Sequence, residues 1–210
     1  AGLVAARVIP SPVPHADFVT FTTYKTLRAG RGGVILCKQK YADRINRATF
    51  PGGQGTPSLN LIAAKAVCFH LAQTDDFVEL QKKTLKNADC FAAEFEQLGY
   101  RMVSGGTENH LVLIDLRSKG LTGALAEKTL ESVGIIVNRN VIPGDPEKPE
   151  VSSGIRIGSP AITSRGMQES EVRQIARMMD DAMSNTENSQ ILARVAQEVE
   201  DLCKRFPIQP

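Results

Sequence analysis

The chain is short of the signals that settle a function class at once. No apolar run reaches the roughly 18 residues that a membrane-spanning helix needs. No Lys/Arg block is longer than Lys82-Lys83, and the formal net charge is only +2. That balance makes no field that would draw nucleic acid or an anionic membrane, so neither is expected as a partner. The four cysteines, Cys37, Cys68, Cys90 and Cys203, lie far apart and form no C-x-x-C pair. Such spacing does not suit a stapled secreted domain, and we read them as reduced thiols of an intracellular protein, cytoplasmic or in an organelle. No cluster reads as a metal site. There is no internal repeat and no low-complexity tract. Neither an initiator methionine nor a signal peptide stands at Ala1-Gly2-Leu3, so the chain reads as a piece of something longer.

What is present is ordinary soluble composition, 42% hydrophobic and 23% charged over 210 residues. That is enough for one or two domains with a substantial core. "DFVTFTT" is β-branched and aromatic and reads as a strand leading to Lys25, and "GRGGVILCK" as a turn followed by a second, buried strand. A helix is predicted from Pro57 to about Thr74, with Leu59, Ile62, Ala63, Ala66 and Val67 on one face. Asp75 and Asp76 are predicted to cap a long helix stopped by Gly99. Then follow strand "YRMVS", turn, strand "HLVLIDL", helix 122–133, strand "IIVN", strand "GIRIGS" and helices near 168–183 and 187–205. This is an α/β pattern, with a change of organisation on the long helix.

Three stretches carry candidate chemistry. "TFTTYKTLRAGRGG" surrounds Lys25 with the hydroxyls of Thr22, Thr23 and Thr26 and the ring of Tyr24. Arg31 and Gly30, Gly32 and Gly33 follow, which could meet an anion. A lysine that forms Schiff bases needs such a setting. The residues alone leave a solvated charge at a strand end as the alternative. "FPGGQGTP" is a glycine-rich loop before a helix, which can hold phosphate. It lacks the Lys-Ser/Thr of a P-loop, and a plain tight turn is the other reading. In "SGIRIGSPAITSRG", Arg156 interrupts an apolar strand between Ile155 and Ile157. It could face a cleft and grip a carboxylate, or form a structural ion pair.

In order and spacing, these stretches resemble the C-terminal half of the serine hydroxymethyltransferase family. "HADFVTFTTYKTLRAGRGG" is similar to that family's cofactor-lysine segment, and "FPGGQGTPSLNLIAAKAVCF" to its glycine loop. "TENHLVLIDLRSKGLTG", "NRNVIPGDPEKP" and "SSGIRIGSPAITSRGM" are similar to segments that follow. The resemblance implies a fold-type I pyridoxal-phosphate enzyme. Residues 1–80 would be the C-terminal part of its large mixed-sheet domain, and residues 81–210 its small α/β domain. It implies that Lys25 holds pyridoxal 5'-phosphate covalently, with Thr22, Tyr24 and Arg31 contacting or positioning the cofactor. Gly55 and Thr56 would reach the phosphate of a neighbouring subunit's cofactor in a homo-oligomer. Arg156 would bind the carboxylate of serine or glycine, and Asn140 would meet the pterin of tetrahydrofolate.

The sequence departs from the family pattern within those motifs. Tyr24 replaces a histidine, Phe21 a threonine, Thr56 a glycine and Asn60 a histidine. Neither Asp17 nor Asp115 matches the aspartate that partners the cofactor's ring nitrogen. The family's preceding half would have to come from the same chain or from a partner chain, and alone this chain is expected not to be competent. Two other readings follow from the departures. One is a folate-independent aldolase or transaldolase acting on β-hydroxy amino acids. The other is a non-catalytic paralogue that binds and regulates a full-length homologue.

Overall fold

The computed structural model describes residues 1–208. The chain is α/β, as its pattern predicts, and divides into two compact units, Ala1–Lys82 and Lys83–Pro210.

In the first unit a short helix, α1 (Gly2–Ala5), precedes strand β1 (Phe18–Thr22), which pairs antiparallel with β2 (Gly33–Cys37). The register sets Thr22 opposite Gly33, so residues 23–32 form the loop that carries Lys25. Helix α2 (Ala42–Arg47), which the sequence pattern did not suggest, comes before the glycine-rich loop. Helix α3 runs Leu59–Leu71 with Ser58 at its N-cap. It therefore starts after Pro57 and stops short of Thr74.

The face that α3 turns to the lysine loop is not the predicted one. Leu59, Ile62 and Val67 are exposed, as are Ala63 and Ala66. The inward residues are Leu61, Ala64, Lys65 and Cys68, at helical spacing i, i+3, i+4 and i+7. A Cβ added at Gly30 would lie 3.0 Å from Leu61 Cδ2 and 3.8 Å from the Ala64 Cβ. One added at Gly32 would collide with the Lys65 amine, and Cys68 Sγ lies 3.4 Å from the Arg28 carbonyl. The helix is apolar on every side, so periodicity offers no face to choose. The two glycines choose it, by letting α3 approach closely there.

Helix α4 (Asp75–Gln97) crosses the division between the units. Its first N–H groups are met by Thr74, whose Oγ1 accepts from the Phe77 amide at 3.4 Å. Asp75 and Asp76 occupy the first turn instead of the cap, where the helix dipole favours acids. Gly99, at φ +82°, ends the run as predicted.

The second unit holds a four-stranded sheet in the order β3-β4-β6-β5, antiparallel throughout. Its strands are β3 (Arg101–Met102), β4 (Leu111–Asp115), β5 (Asn138–Asn140) and β6 (Gly154–Gly158). Predicted strand "YRMVS" is cut to two residues because Ser104 and Gly105 take positive φ (66° and 71°) in the turn. The strand expected at "IIVN" forms later, at β5. Helix α5 (Gly123–Ser132) is capped by Thr122, whose Oγ1 accepts from the Leu125 amide at 3.2 Å. Short α6 (Pro160–Ser164) leads to α7 (Glu169–Ser184) and α8 (Ser189–Arg205). Phe95, Ile114, Leu116, Leu130, Ile155, Met179, Met183 and Val195 fill the core between sheet and helices.

Candidate functional site

The lysine loop is built around two buried threonines. Thr23 is fully buried, and its hydroxyl donates to the Gly30 carbonyl at 2.6 Å and lies 3.2 Å from that of Gly32. The Thr23 amide also donates to Gly32 (3.1 Å), and the Ala29 amide to Thr23 (2.9 Å). Thr26 accepts the Gly2 amide on its Oγ1 at 2.9 Å. Both hydroxyls therefore serve the backbone, whereas the sequence pattern had set them beside the lysine amine. Between them Lys25 opens a β-turn closed by the Arg28 amide on its carbonyl at 2.8 Å, with Leu27 buried beneath. Lys25 is exposed. Thr22, at the end of β1, is half-buried.

The Arg31 guanidinium stacks on the Tyr24 ring, 4.7 Å from its centroid. This cation–π contact positions Arg31 without neutralising it. Among the described residues neither Lys25, Arg31 nor Arg156 forms an ion pair with any carboxylate. Gly30 and Gly32 are spent on α3 packing, which removes them as groups to meet an anion.

The glycine loop is solvent-exposed from Thr49 to Asn60. A tight turn closes it, with the Gln54 amide donating to the Thr49 carbonyl at 2.8 Å. Among the described residues, none but its chain neighbours lies within 4 Å of where a Gly55 Cβ would stand. Gly55 and Thr56 are thus free to meet a group from outside their own unit.

In the second unit, β6 buries Ile155 and Ile157 and turns Arg156 to the other face of the sheet. The register sets Arg156 between Leu113 and Asn138. Arg156 and Asn140 line one cleft of about 970 Å³, with Leu111, Leu113 and the loop 104–109 around it. The cleft is what lets an arginine interrupt an apolar strand, and the ion-pair alternative does not hold among the described residues. The Asn140 amide donates to the Val141 carbonyl at 2.7 Å. The loop that follows is tied by Asp145, which accepts from the amides of Ile142 (3.1 Å), Glu147 (3.0 Å) and Ser153 (2.9 Å) and from Ser153 Oγ (2.6 Å). Desolvation would raise the Asp145 carboxyl, but these four bonds outweigh it and hold it far below the usual carboxylate range. Sequence reasoning missed Asp145, although an Asp in "PGDP" is a familiar turn signal.

The two aspartates set aside as ring-nitrogen partners are otherwise engaged. Asp17 pairs with Lys38 at 2.7 Å. Asp115 is buried between Arg117 (2.8 Å) and Arg101 (3.0 Å). The expected cofactor nonetheless suits the donor set of the lysine loop. It has an exposed amine on a tied turn and, in the same loop, the Arg31 guanidinium, which has no carboxylate partner among the described residues. All four cysteines are free thiols. No helix among the described residues is long and apolar enough to cross a membrane. A family model described as serine hydroxymethyltransferase matches residues 1–179, which take in the lysine loop, the glycine loop, Asn140 and Arg156. The chain belongs to the serine hydroxymethyltransferase family.

Proposed function

We propose that this chain is the lysine-bearing part of a pyridoxal-phosphate-dependent hydroxymethyltransferase. It would pass a one-carbon unit between serine and tetrahydrofolate, with the family's preceding half supplied by the same chain or by a partner. The observation that carries this reading is Lys25, whose exposed amine, unpaired among the described residues, belongs to a turn tied through Thr23 and Thr26. Lys25 would hold the cofactor, and Thr22, Tyr24 and Arg31 would line it. When bound, the cofactor supplies an electron sink for a carbanion at the amino acid's α-carbon. Arg156 would fix the substrate carboxylate through two parallel hydrogen bonds and so orient the α-carbon. Asn140, on the same cleft, would present its amide to the pterin. Gly55 and Thr56 would serve the phosphate of a neighbouring subunit. The apolar residues that α3 leaves exposed support an assembled state, because surface of that kind marks an interface. The first unit would belong to the large domain of a fold-type I enzyme, and the second would be its small domain.

The test is absorbance above 400 nm when pyridoxal phosphate is added to this chain together with the preceding half of a family member. A band that Lys25→Ala abolishes supports the reading, and a band that survives that change sinks the assignment of the lysine. The Tyr24–Arg31 stack motivates the second reading, a folate-independent aldolase. It replaces a group that titrates near neutrality with one that holds an arginine. Serine cleavage that strictly requires tetrahydrofolate rules against that alternative.

A further inference from the structure

We propose that Gln81 is a positioning residue for Lys25, because its side-chain amide holds the central peptide of the turn that the lysine opens. The inference rests on the reading of Lys25 as the cofactor lysine. The turn runs from Lys25 to Arg28, so its central peptide joins Thr26 to Leu27. The outer groups of the turn bond to each other, but the central carbonyl, that of Thr26, points away and needs a donor from elsewhere. Gln81 Nε2 supplies it at 3.3 Å, from the second turn of α4 and across 55 residues of sequence. Thr26 is fixed a second time through its Oγ1, by the Gly2 amide at 2.9 Å. Arg28, at φ +62°, leaves the turn in a left-handed conformation that a non-glycine residue holds only when its neighbours are fixed.

Packing alone does not explain a glutamine here. Gln81 is 2% exposed, and its Oε1 is buried with no hydrogen-bond partner among the described residues. Burying an idle acceptor costs desolvation with nothing in return, so packing by itself favours a leucine or methionine of similar volume. What the glutamine does provide is one donor, aimed at the turn of Lys25. Without it the Thr26 carbonyl is buried and unpaired. The central peptide then tilts, the Lys25–Arg28 bond loosens, and the lysine side chain leaves the turn over a wider range of directions.

The experiment compares the wild-type chain with Gln81→Leu and Gln81→Glu, first without cofactor. Hydrogen exchange at the Arg28 and Ala29 amides reads the turn. About tenfold faster exchange is expected in Gln81→Leu at every pH. In Gln81→Glu it should appear at neutral pH and recover in acid, where a protonated carboxyl can donate again. The second readout adds pyridoxal phosphate together with the family's preceding half. The pH midpoint of the band above 400 nm should move in Gln81→Leu relative to wild type. Exchange equal to wild type in both variants overturns the proposal. So does lost protection with an unmoved midpoint, which makes Gln81 a structural residue of the turn with no effect on the lysine. If the wild-type chain forms no band that Lys25→Ala removes, the cofactor-lysine reading fails instead, and exchange alone still decides whether Gln81 holds the turn. Should Gln81→Leu fail to fold, the near-isosteric Gln81→Glu and its acid recovery carry the test.

Discussion

Replacing Thr23 with valine isolates the hydroxyl that ties the lysine loop. Valine matches threonine in shape, so the fully buried site stays filled and the substitution removes only the donor to Gly30 and Gly32. A buried carbonyl left without its donor costs about 1–3 kcal/mol. Gly30 and Gly32 are only half-buried, so water recovers part of that. The lower half of the range, about 1–2 kcal/mol, is therefore expected, which is a factor of about 5 to 30 in the opening equilibrium. Hydrogen exchange measures that equilibrium locally at the Thr23 and Ala29 amides, whose acceptors are Gly32 and Thr23 in the same loop. Thr23→Ser provides the counterpart, because it keeps the hydroxyl and loses one methyl, worth about 0.8 kcal/mol of burial. Its loop amides should stay near wild-type protection while global stability falls slightly. If valine protects those amides as well as threonine does, or serine exposes them as much as valine, the hydroxyl does not hold the loop.

Three further outcomes follow. Arg156→Ala should weaken serine or glycine binding to the cofactor-loaded protein by about 10- to 150-fold, the worth of charge-assisted bonds of about 1.5–3 kcal/mol. Arg156→Lys should restore the charge but only part of the affinity, as read by spectral titration with either amino acid. Asp145 has a folded-state carboxyl held below its unfolded value, so its contribution is fully present above the unfolded carboxylate pKa of about 3.9 and is lost only as pH falls through the lower folded value. The loop 140–153 should therefore stay ordered through pH 4 by NMR, and Asp145→Asn should loosen it at neutral pH and remove that acid dependence. Phe95→Ala, at a fully buried side chain packed edge-on against Tyr100 at 5.3 Å, should cost the second unit about 3–5 kcal/mol in denaturant unfolding.

Much of the second unit was legible from sequence because its elements have clear faces. Helices α7 and α8 alternate core methionines, valines and leucines with charge, and β4 and β6 alternate buried and open residues. Arg156 stood out as a charge between two isoleucines, and the alternation of β6 turns it onto the face that lines the cleft. The strand expected at "IIVN" was misplaced because Gly134, at φ +83°, takes the chain out of α5 through a turn that delays the strand to Asn138. Local propensity reads a β-branched run there, and the pairing with β6 overrides it.

The lysine loop was legible only in part, and the reason is the direction of its hydrogen bonds. Four threonines in "TFTTYKT" suggested hydroxyls gathered at an amine, but spacing does not say which way a buried hydroxyl points. Thr23 lies where β1 hands over to the loop and faces the returning strand, so the acceptors within its reach are the Gly30 and Gly32 carbonyls. Those glycines read as an anion cradle until α3 is considered. Leu61 and Lys65 rest on them, which fixes the face of a helix whose composition fixes none. A threonine held by carbonyls, two glycines held by a helix and a glutamine from 55 residues on are all long-range matters, invisible to a window of neighbours. Together they leave Lys25 and Arg31, like Arg28 in the same loop, exposed and without carboxylate partners among the described residues, with Arg31 stacked on Tyr24. Tyr24→His therefore separates the two functional readings. If the ring serves only to hold Arg31, histidine should preserve cofactor affinity. If tyrosine redirects the reaction, histidine should raise folate-dependent serine cleavage and lower folate-independent cleavage in the same preparation.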